Sequence, residues 1–231
     1  MITFEAVAKR YRNGREALSN LSLHLAPGEM AFLTGRSGAG KSTVLKLIAL
    51  LERPTRGRVT VAGENTGNLP ARRVPAFRRR IGVVFQDHRL LVDRPVFDNV
   101  ALPLIVSDSS LKEIDKRVRA ALDQVGLHGS ERVLPAELSV GEQQRVGIAR
   151  AIVSRPPILI ADEPTGNLDP QLASEVMALF RRLNEVGVTV LVATHDLQLV
   201  HESGLRSIVI ENGRIAGAEA DGTLPIIEAR R

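Results

Sequence analysis

One short segment constrains this chain more than any other feature. Gly35-Arg36-Ser37-Gly38-Ala39-Gly40-Lys41-Ser42-Thr43 follows the apolar run Met30–Thr34 and precedes a second apolar stretch over residues 44–51. The first run reads as a buried strand and the second as a helix, so the glycines fall in a tight strand-to-helix turn. Glycine lets backbone N–H groups curl around an anion without Cβ clashes, and the helix start adds its partial positive charge. The spacing G-x-x-x-x-G-K-[ST] suits a nucleotide triphosphate: Lys41 neutralises the β- and γ-phosphates, and the Ser42 hydroxyl is a ligand for Mg²⁺. A chance glycine-rich turn is the competing reading, and the strand and helix on either side argue against it.

Three further segments end in polar residues where a phosphate-binding sheet needs them. The apolar run 158–161 stops at Asp162 and Glu163. The carboxyl ends of strands are where α/β sheets hold ligands. Asp162 is expected to organise Mg²⁺ through its water shell, and Glu163 to polarise an attacking water as general base. His195 follows the β-branched run 188–194 and is expected to donate toward the γ-phosphate. Gln86 ends the run 81–85, where its amide could reach Mg²⁺ or the water.

Composition removes several alternatives. The 231 residues contain no cysteine, which excludes disulfides, thiolate metal sites and a cysteine nucleophile. Six Phe, one Tyr and no Trp are too few for an aromatic platform that stacks single-stranded nucleic acid. Pro103 interrupts the longest uncharged apolar stretch, and nothing approaches the ~20 apolar residues of a membrane span. The start, Met1-Ile2-Thr3-Phe4-Glu5, lacks a secretory pattern, so a cytosolic chain is expected, with any membrane role supplied by a partner. A net charge of +5 reads mainly as solvated surface. The clusters Arg72-Arg73 and Arg78-Arg79-Arg80 leave phosphate, nucleic acid or an anionic membrane face open.

The order of patterns implies an α/β fold. Residues 1–7 and 21–25 alternate as strands around an Arg12-Asn13-Gly14 turn, and 57–62 alternate again. Leu111, Ile114, Val118, Leu122 and Val125 recur at helical spacing behind a Ser110/Glu113 capping box. Leu172, Val176, Leu179, Phe180 and Leu183 mark another amphipathic helix, and Asn212-Gly213 joins a closing hairpin. Strand–helix–strand order at both ends predicts a mostly parallel sheet covered by helices, with the helical region 87–155 inserted. The expected division is a core of residues 1–86 and 156–217, the helical part 87–155, and a tail 218–231.

Leu138-Ser139-Val140-Gly141-Glu142-Gln143-Gln144-Arg145 resembles the L-S-G-G-Q signature of ATP-binding cassette (ABC) ATPases. Ser139 caps the following helix so that its N–H groups face an anion. The resemblance implies that this anion is the γ-phosphate of ATP held by a second subunit, with Ser139, Gly141 and Glu142 at the contact. Val140 departs from the pattern, which has glycine there. By the same resemblance Asn167-Leu168-Asp169 matches the loop that communicates across the dimer, and Tyr11 sits where an aromatic stacks on adenine. The family implies a RecA-like P-loop NTPase core with an N-terminal antiparallel β subdomain and an α-helical subdomain. It also implies ATP and Mg²⁺ as ligands and a head-to-tail homodimer with ATP at its interface.

Within that superfamily residues 85–104, with Ala31-Phe32-Leu33-Thr34-Gly35 and Gln143-Gln144-Arg145-Val146-Gly147-Ile148-Ala149-Arg150-Ala151, resemble the bacterial cell-division ATPase family FtsE. The resemblance implies a polytopic membrane partner, FtsX, gripped by the segment after Gln86. It also implies a peripheral place on the cytoplasmic face of the inner membrane, other divisome components, and control of septal peptidoglycan hydrolases. The ATPase of a lipoprotein-release or macrolide-export transporter is the alternative. A nucleic-acid ABC ATPase needs a long coiled-coil insertion or a second cassette, and only about 97 residues separate Lys41 from Leu138. A scaffold that binds ATP without hydrolysing it is disfavoured by Asp162, Glu163 and His195.

Overall fold

The computed structural model describes residues 1–107, 109–166 and 168–216. Asn167 and the expected tail 218–231 lie outside the described residues. In chain order come strands β1 (Ile2–Arg10), β2 (Glu16–Leu25) and β3 (Met30–Thr34), helix α1 (Lys41–Ile48), and strands β4 (Arg56–Val61) and β5 (Glu64–Asn65). Then follow α2 (Val74–Arg78), β6 (Ile81–Val84), α3 (Val96–Val106), α4 (Leu111–Gln124), α5 (Val140–Ile152) and β7 (Ile158–Asp162). The chain closes with α6 (Pro170–Glu185), β8 (Thr189–Ala193), α7 (Leu197–Ser203), β9 (Arg206–Glu211) and β10 (Arg214–Ile215). Contacts divide it into two compact units: Met1–Pro75 with the chain from Thr189 onward, and Ala76–Val188.

The first unit holds two kinds of sheet. An antiparallel one runs β2-β1-β4-β5, with Ile2 opposite Leu25 on one side and Val61 on the other. Its buried residues alternate along β1 at Ile2 and Phe4, then shift at a bulge around Ala6, where φ is 47°. The second set runs β10-β9-β3-β8, with β3 parallel to both β8 and β9. Every residue of β3 and β8 is buried, as a parallel strand covered on both faces requires. The closing hairpin turns at Asn212 and Gly213, both at positive φ, as a two-residue primed turn demands.

The second unit pairs β6 with β7 in parallel, Ile81 opposite Ile158 through Val84 opposite Ala161. Helices α3, α4 and α5 pack on one another. Helix α3 continues through Pro103, which the sequence pattern marks as an interruption. Pro103 denies the Asn99 carbonyl its usual partner, but Val96, Val100, Ala101 and Leu104 are buried and keep the helix intact. The capping box at Ser110 is half formed. Its hydroxyl accepts from the Glu113 amide at 3.4 Å, while the Glu113 carboxylate takes Arg117 Nε at 2.6 Å instead of reaching back. Among the described residues no helix is long and apolar enough to cross a membrane.

The periodicity of α4 is correct at Ile114, Val118 and Leu122 but not at Leu111, which is 86% exposed. Leu111 opens the helix and lies beyond its packed stretch. Leu122→Ala should therefore cost about 2–5 kcal/mol, and Leu111→Ala no more than about 0.5 kcal/mol. Urea denaturation of the two variants checks the contrast.

Candidate functional site

The glycine-rich loop leaves the carboxyl end of β3 and is shaped by contacts beneath it. A Cβ at Gly35 (φ 145°) would lie 2.3 Å from the Ile210 carbonyl oxygen. One at Gly40 (φ 119°) would meet Leu18 Cδ2 at 2.7 Å and the Ala17 carbonyl oxygen at 2.8 Å. These glycines thus serve packing against β9 and β2 as well as the curl of the loop. The Gly213 amide donates to the Ala39 carbonyl at 3.0 Å, and the Gly213 carbonyl accepts from the Ser19 amide at 2.9 Å. Arg15 Nη2 donates to the Gly38 carbonyl at 3.1 Å. Arg36, Ser37 and Gly38 remain exposed at the crest.

Helix α1 starts at Lys41 behind Gly40, with no side-chain cap and no acidic residue in its first turn. An anion is the complement such a start lacks. The Lys41 ammonium is buried and folded back onto the Gly35 carbonyl at 2.7 Å, while Ser42 is exposed. Thr43 is buried, and its hydroxyl lies 3.3 Å from Tyr11 Oη, which ties the ring to the first turn of α1. Lys9 Nζ stands 5.1 Å from the Tyr11 ring centroid and is held by Glu52 at 2.6 Å and the Arg53 carbonyl at 2.9 Å. Leu33 lies opposite Ala193, and the Thr194 amide donates to the Leu33 carbonyl at 3.1 Å. The exposed His195 therefore follows a strand that ends beside the loop's own strand.

The second unit carries the other candidates in two groups. Because β6 and β7 are parallel and in register, Gln86 and the pair Asp162–Glu163 emerge from the same end of them. Gln86 is exposed and Asp162 is half-buried as the last residue of β7. Glu163 adopts φ 49°, a left-handed conformation that is costly for a non-glycine residue and clusters at functional sites.

The other group surrounds the start of α5. Ser139 caps it: its hydroxyl accepts from the Glu142 amide at 3.3 Å, and Glu142 Oε2 accepts from the Ser139 amide at 2.8 Å and hydroxyl at 2.7 Å. Gly141 faces α6, where a Cβ would lie 3.1 Å from Leu172 Cδ1 and 3.4 Å from Leu168 Cδ2. Val140, the departure from the signature, is 52% exposed, so its side chain adds an apolar surface there. Asp169 caps α6, its Oδ1 accepting from the Gln171 amide at 3.0 Å and the Leu172 amide at 3.1 Å. The structure thus brings the signature beside the Leu168–Asp169 turn.

Lys9, Arg15 and Gly213 support the site without having stood out in the sequence. Only Gly213 carried a signal, as half of a hairpin turn. Among the described residues no group of three His, Asp or Glu side chains forms a ready-made metal cage. Ser42 in the first unit, and Gln86 and Asp162 in the second, each carry hard oxygen donors of the kind Mg²⁺ takes.

A sequence profile described as ABC transporter matches residues 18–166. The cell division ATP-binding protein FtsE of Escherichia coli (strain K12) is 54% identical over 217 residues, which cover 94% of this chain and 98% of that protein. Among solved structures, the dimeric structure of MJ0796, a bacterial ABC transporter cassette, superposes with a TM-score of 0.88 at 38% identity. It covers 94% of this chain and 97% of that one. The dimeric post-hydrolysis state of MJ0796, bound to ADP and Pi, gives a TM-score of 0.88 at 37% identity, with 95% and 98% coverage.

The two bonds from Ser139, hydroxyl first and then amide, hold the Glu142 carboxyl below the ordinary glutamate range. A lowered folded value means that its stabilising share is present above the ordinary range and lost as pH falls through the lowered one. Carboxyl NMR should show Glu142 titrating low, and moving part of the way back in Ser139→Ala, which keeps the amide bond. The same substitution should cost about 1 kcal/mol in denaturant unfolding.

Proposed function

The chain belongs to the ABC transporter family, in its cell division ATP-binding protein FtsE group, and on that premise we propose that its described site binds and hydrolyses ATP to drive a cell-division complex. The observation that carries this reading is the start of α1: an uncapped helix behind a positive-φ glycine, with a buried lysine drawn over the loop. The ATP phosphates lie over residues 35–43, with Lys41 turning from the Gly35 carbonyl to the β- and γ-phosphates. Tyr11 stacks on adenine, its ring already braced by Thr43 and Lys9. Ser42, Gln86 and Asp162 are the residues that would hold Mg²⁺, which would neutralise phosphate charge.

Glu163 removes a proton from the attacking water, and Gln86 orients that water. His195 donates to the γ-phosphate as charge builds on it. Two cassettes associate head to tail, so that Ser139, Gly141 and Glu142 of one face the γ-phosphate held by the other, with Asp169 in the adjoining turn. Loss of that phosphate removes the bond between the halves and loosens them.

The partner is a polytopic membrane protein of the FtsX kind, docked on the segment after Gln86. Supporting this, Leu91, Val92, Ile105 and Val106 are exposed apolar residues on that segment and on α3. The chain itself then sits on the cytoplasmic face of the inner membrane, held by that partner, with other divisome proteins beyond it. We assign no role to nucleic acid.

Glu163→Gln should retain ATP binding, lose about 10²–10⁴-fold in turnover, and accumulate as an ATP-bound dimer. Phosphate-release kinetics and light scattering test both halves, and undiminished turnover removes Glu163 from its role. Copurification from native membranes should bring down an FtsX-like protein. Recovery of a lipoprotein-release permease would instead favour the transporter alternative.

A further inference from the structure

We propose that Arg150 is a positioning residue: it locks the segment after Gln86 onto the signature helix, and so sets where the Gln86 amide stands during hydrolysis. The inference rests on the ATP-hydrolysis reading above. Helix α5 carries Ser139 at its start and Arg150 near its end. Arg150 Nη1 donates to the Arg89 carbonyl at 2.7 Å, and Nη2 donates to the His88 carbonyl. Two consecutive carbonyls point at one side chain because His88 and Arg89 both take left-handed backbone conformations, φ 54° and 50°. A guanidinium suits that arrangement, since its planar fork offers two N–H groups in fixed geometry.

The rest of the segment has little freedom. Asn99, fully buried on α3, accepts from the Leu91 amide at 2.7 Å and donates to the carbonyls of Leu91, Arg94 and Pro95 at 3.0, 3.0 and 3.2 Å. Upstream, the Arg89 guanidinium lies 4.2 Å from the Phe85 ring centroid, and its Nε donates to Asp87 at 3.1 Å. Gln86 thus stands between the end of β6 and a pin held by α5. A shift of α5 as its start engages phosphate is carried by Arg150 to the carbonyls two and three residues beyond Gln86. Burial, with the Arg89 charge adding to it, lowers the Arg150 pKa from the ordinary guanidinium value, which marks a desolvated contact.

The test is steady-state ATP hydrolysis by the assembly copurified from membranes, carrying Arg150→Ala, Arg150→Lys, Gln86→Ala, or Gln86→Ala with either Arg150 change. Misplacing a reacting group by about 1 Å costs up to about 10²-fold. We expect Arg150→Ala to lower kcat at least about 10-fold with KM for ATP within about twofold. Arg150→Lys should recover part of the loss, because one ammonium serves one carbonyl at a time. If Arg150 acts through Gln86, the double variant turns over no more slowly than Gln86→Ala alone.

Losses that multiply in the double variant overturn the proposal, as does a rise in KM at unchanged kcat. Should Arg150→Ala fail to fold, the lysine variant and its double carry the same comparison. An unsubstituted assembly that hydrolyses ATP while both Arg150 variants keep its kcat overturns this inference alone. An unsubstituted assembly that hydrolyses no ATP overturns the function reading and this inference with it.

Discussion

The start of α1 sets the terms for the first unit. Helices α4, α5, α6 and α7 each begin behind a side chain that accepts from their early amides: Ser110, Ser139, Asp169 and Asp196. Helix α1 begins behind Gly40 and has no such cap. Such a start leaves its early amides to water or to a ligand, and an anionic ligand answers the helix dipole best. The surroundings follow from keeping the approach open. The loop is tied down from below, by Gly213 and Arg15 through backbone carbonyls, so that its crest stays clear. Lys41 donates to a carbonyl of the loop, a neutral partner that it can exchange for a phosphate.

The start of α5 obeys a different rule. Ser139 already caps its helix, and its hydroxyl already donates to Glu142. A phosphate placed there would compete with a carboxylate whose pKa the same hydrogen bonds lower. The two helix starts proposed to meet phosphate therefore differ in kind, one without a side-chain cap and the other internally satisfied. That difference suits a site in which nucleotide is held firmly by one loop and touched reversibly by another.

Legibility in the sequence followed the range of the interactions involved. The loop 35–43, the acidic end of β7 and the helix cap at Ser139 are local patterns, and the chain adopts them where they are written. Buried parallel strands such as β3 and β8 are legible as unbroken apolar runs. Errors arose where burial depends on neighbours that no local pattern names. Leu111 keeps helical spacing yet faces outward at a helix start, and Pro103 sits inside a helix because packing outweighs one lost hydrogen bond. The supports of the site were largely hidden for the same reason. Arg150 reads as one more arginine in the run 143–151 until the left-handed pair His88–Arg89 turns two carbonyls toward it. The pair Tyr11–Thr43 is also invisible until β1 and α1 come together.

The bond between Gly213 and Ala39 has a consequence for how the protein is made. The amide that holds the loop's carbonyl, that of Gly213, is synthesised long after Ala39. At about 5–20 residues per second, the nascent chain spends many seconds with the loop synthesised but not clamped. During that interval Arg15 can already hold the Gly38 carbonyl, but the Ala39 carbonyl lacks its clamp. A translation product interrupted before Gly213 would carry the whole glycine-rich sequence without this clamp.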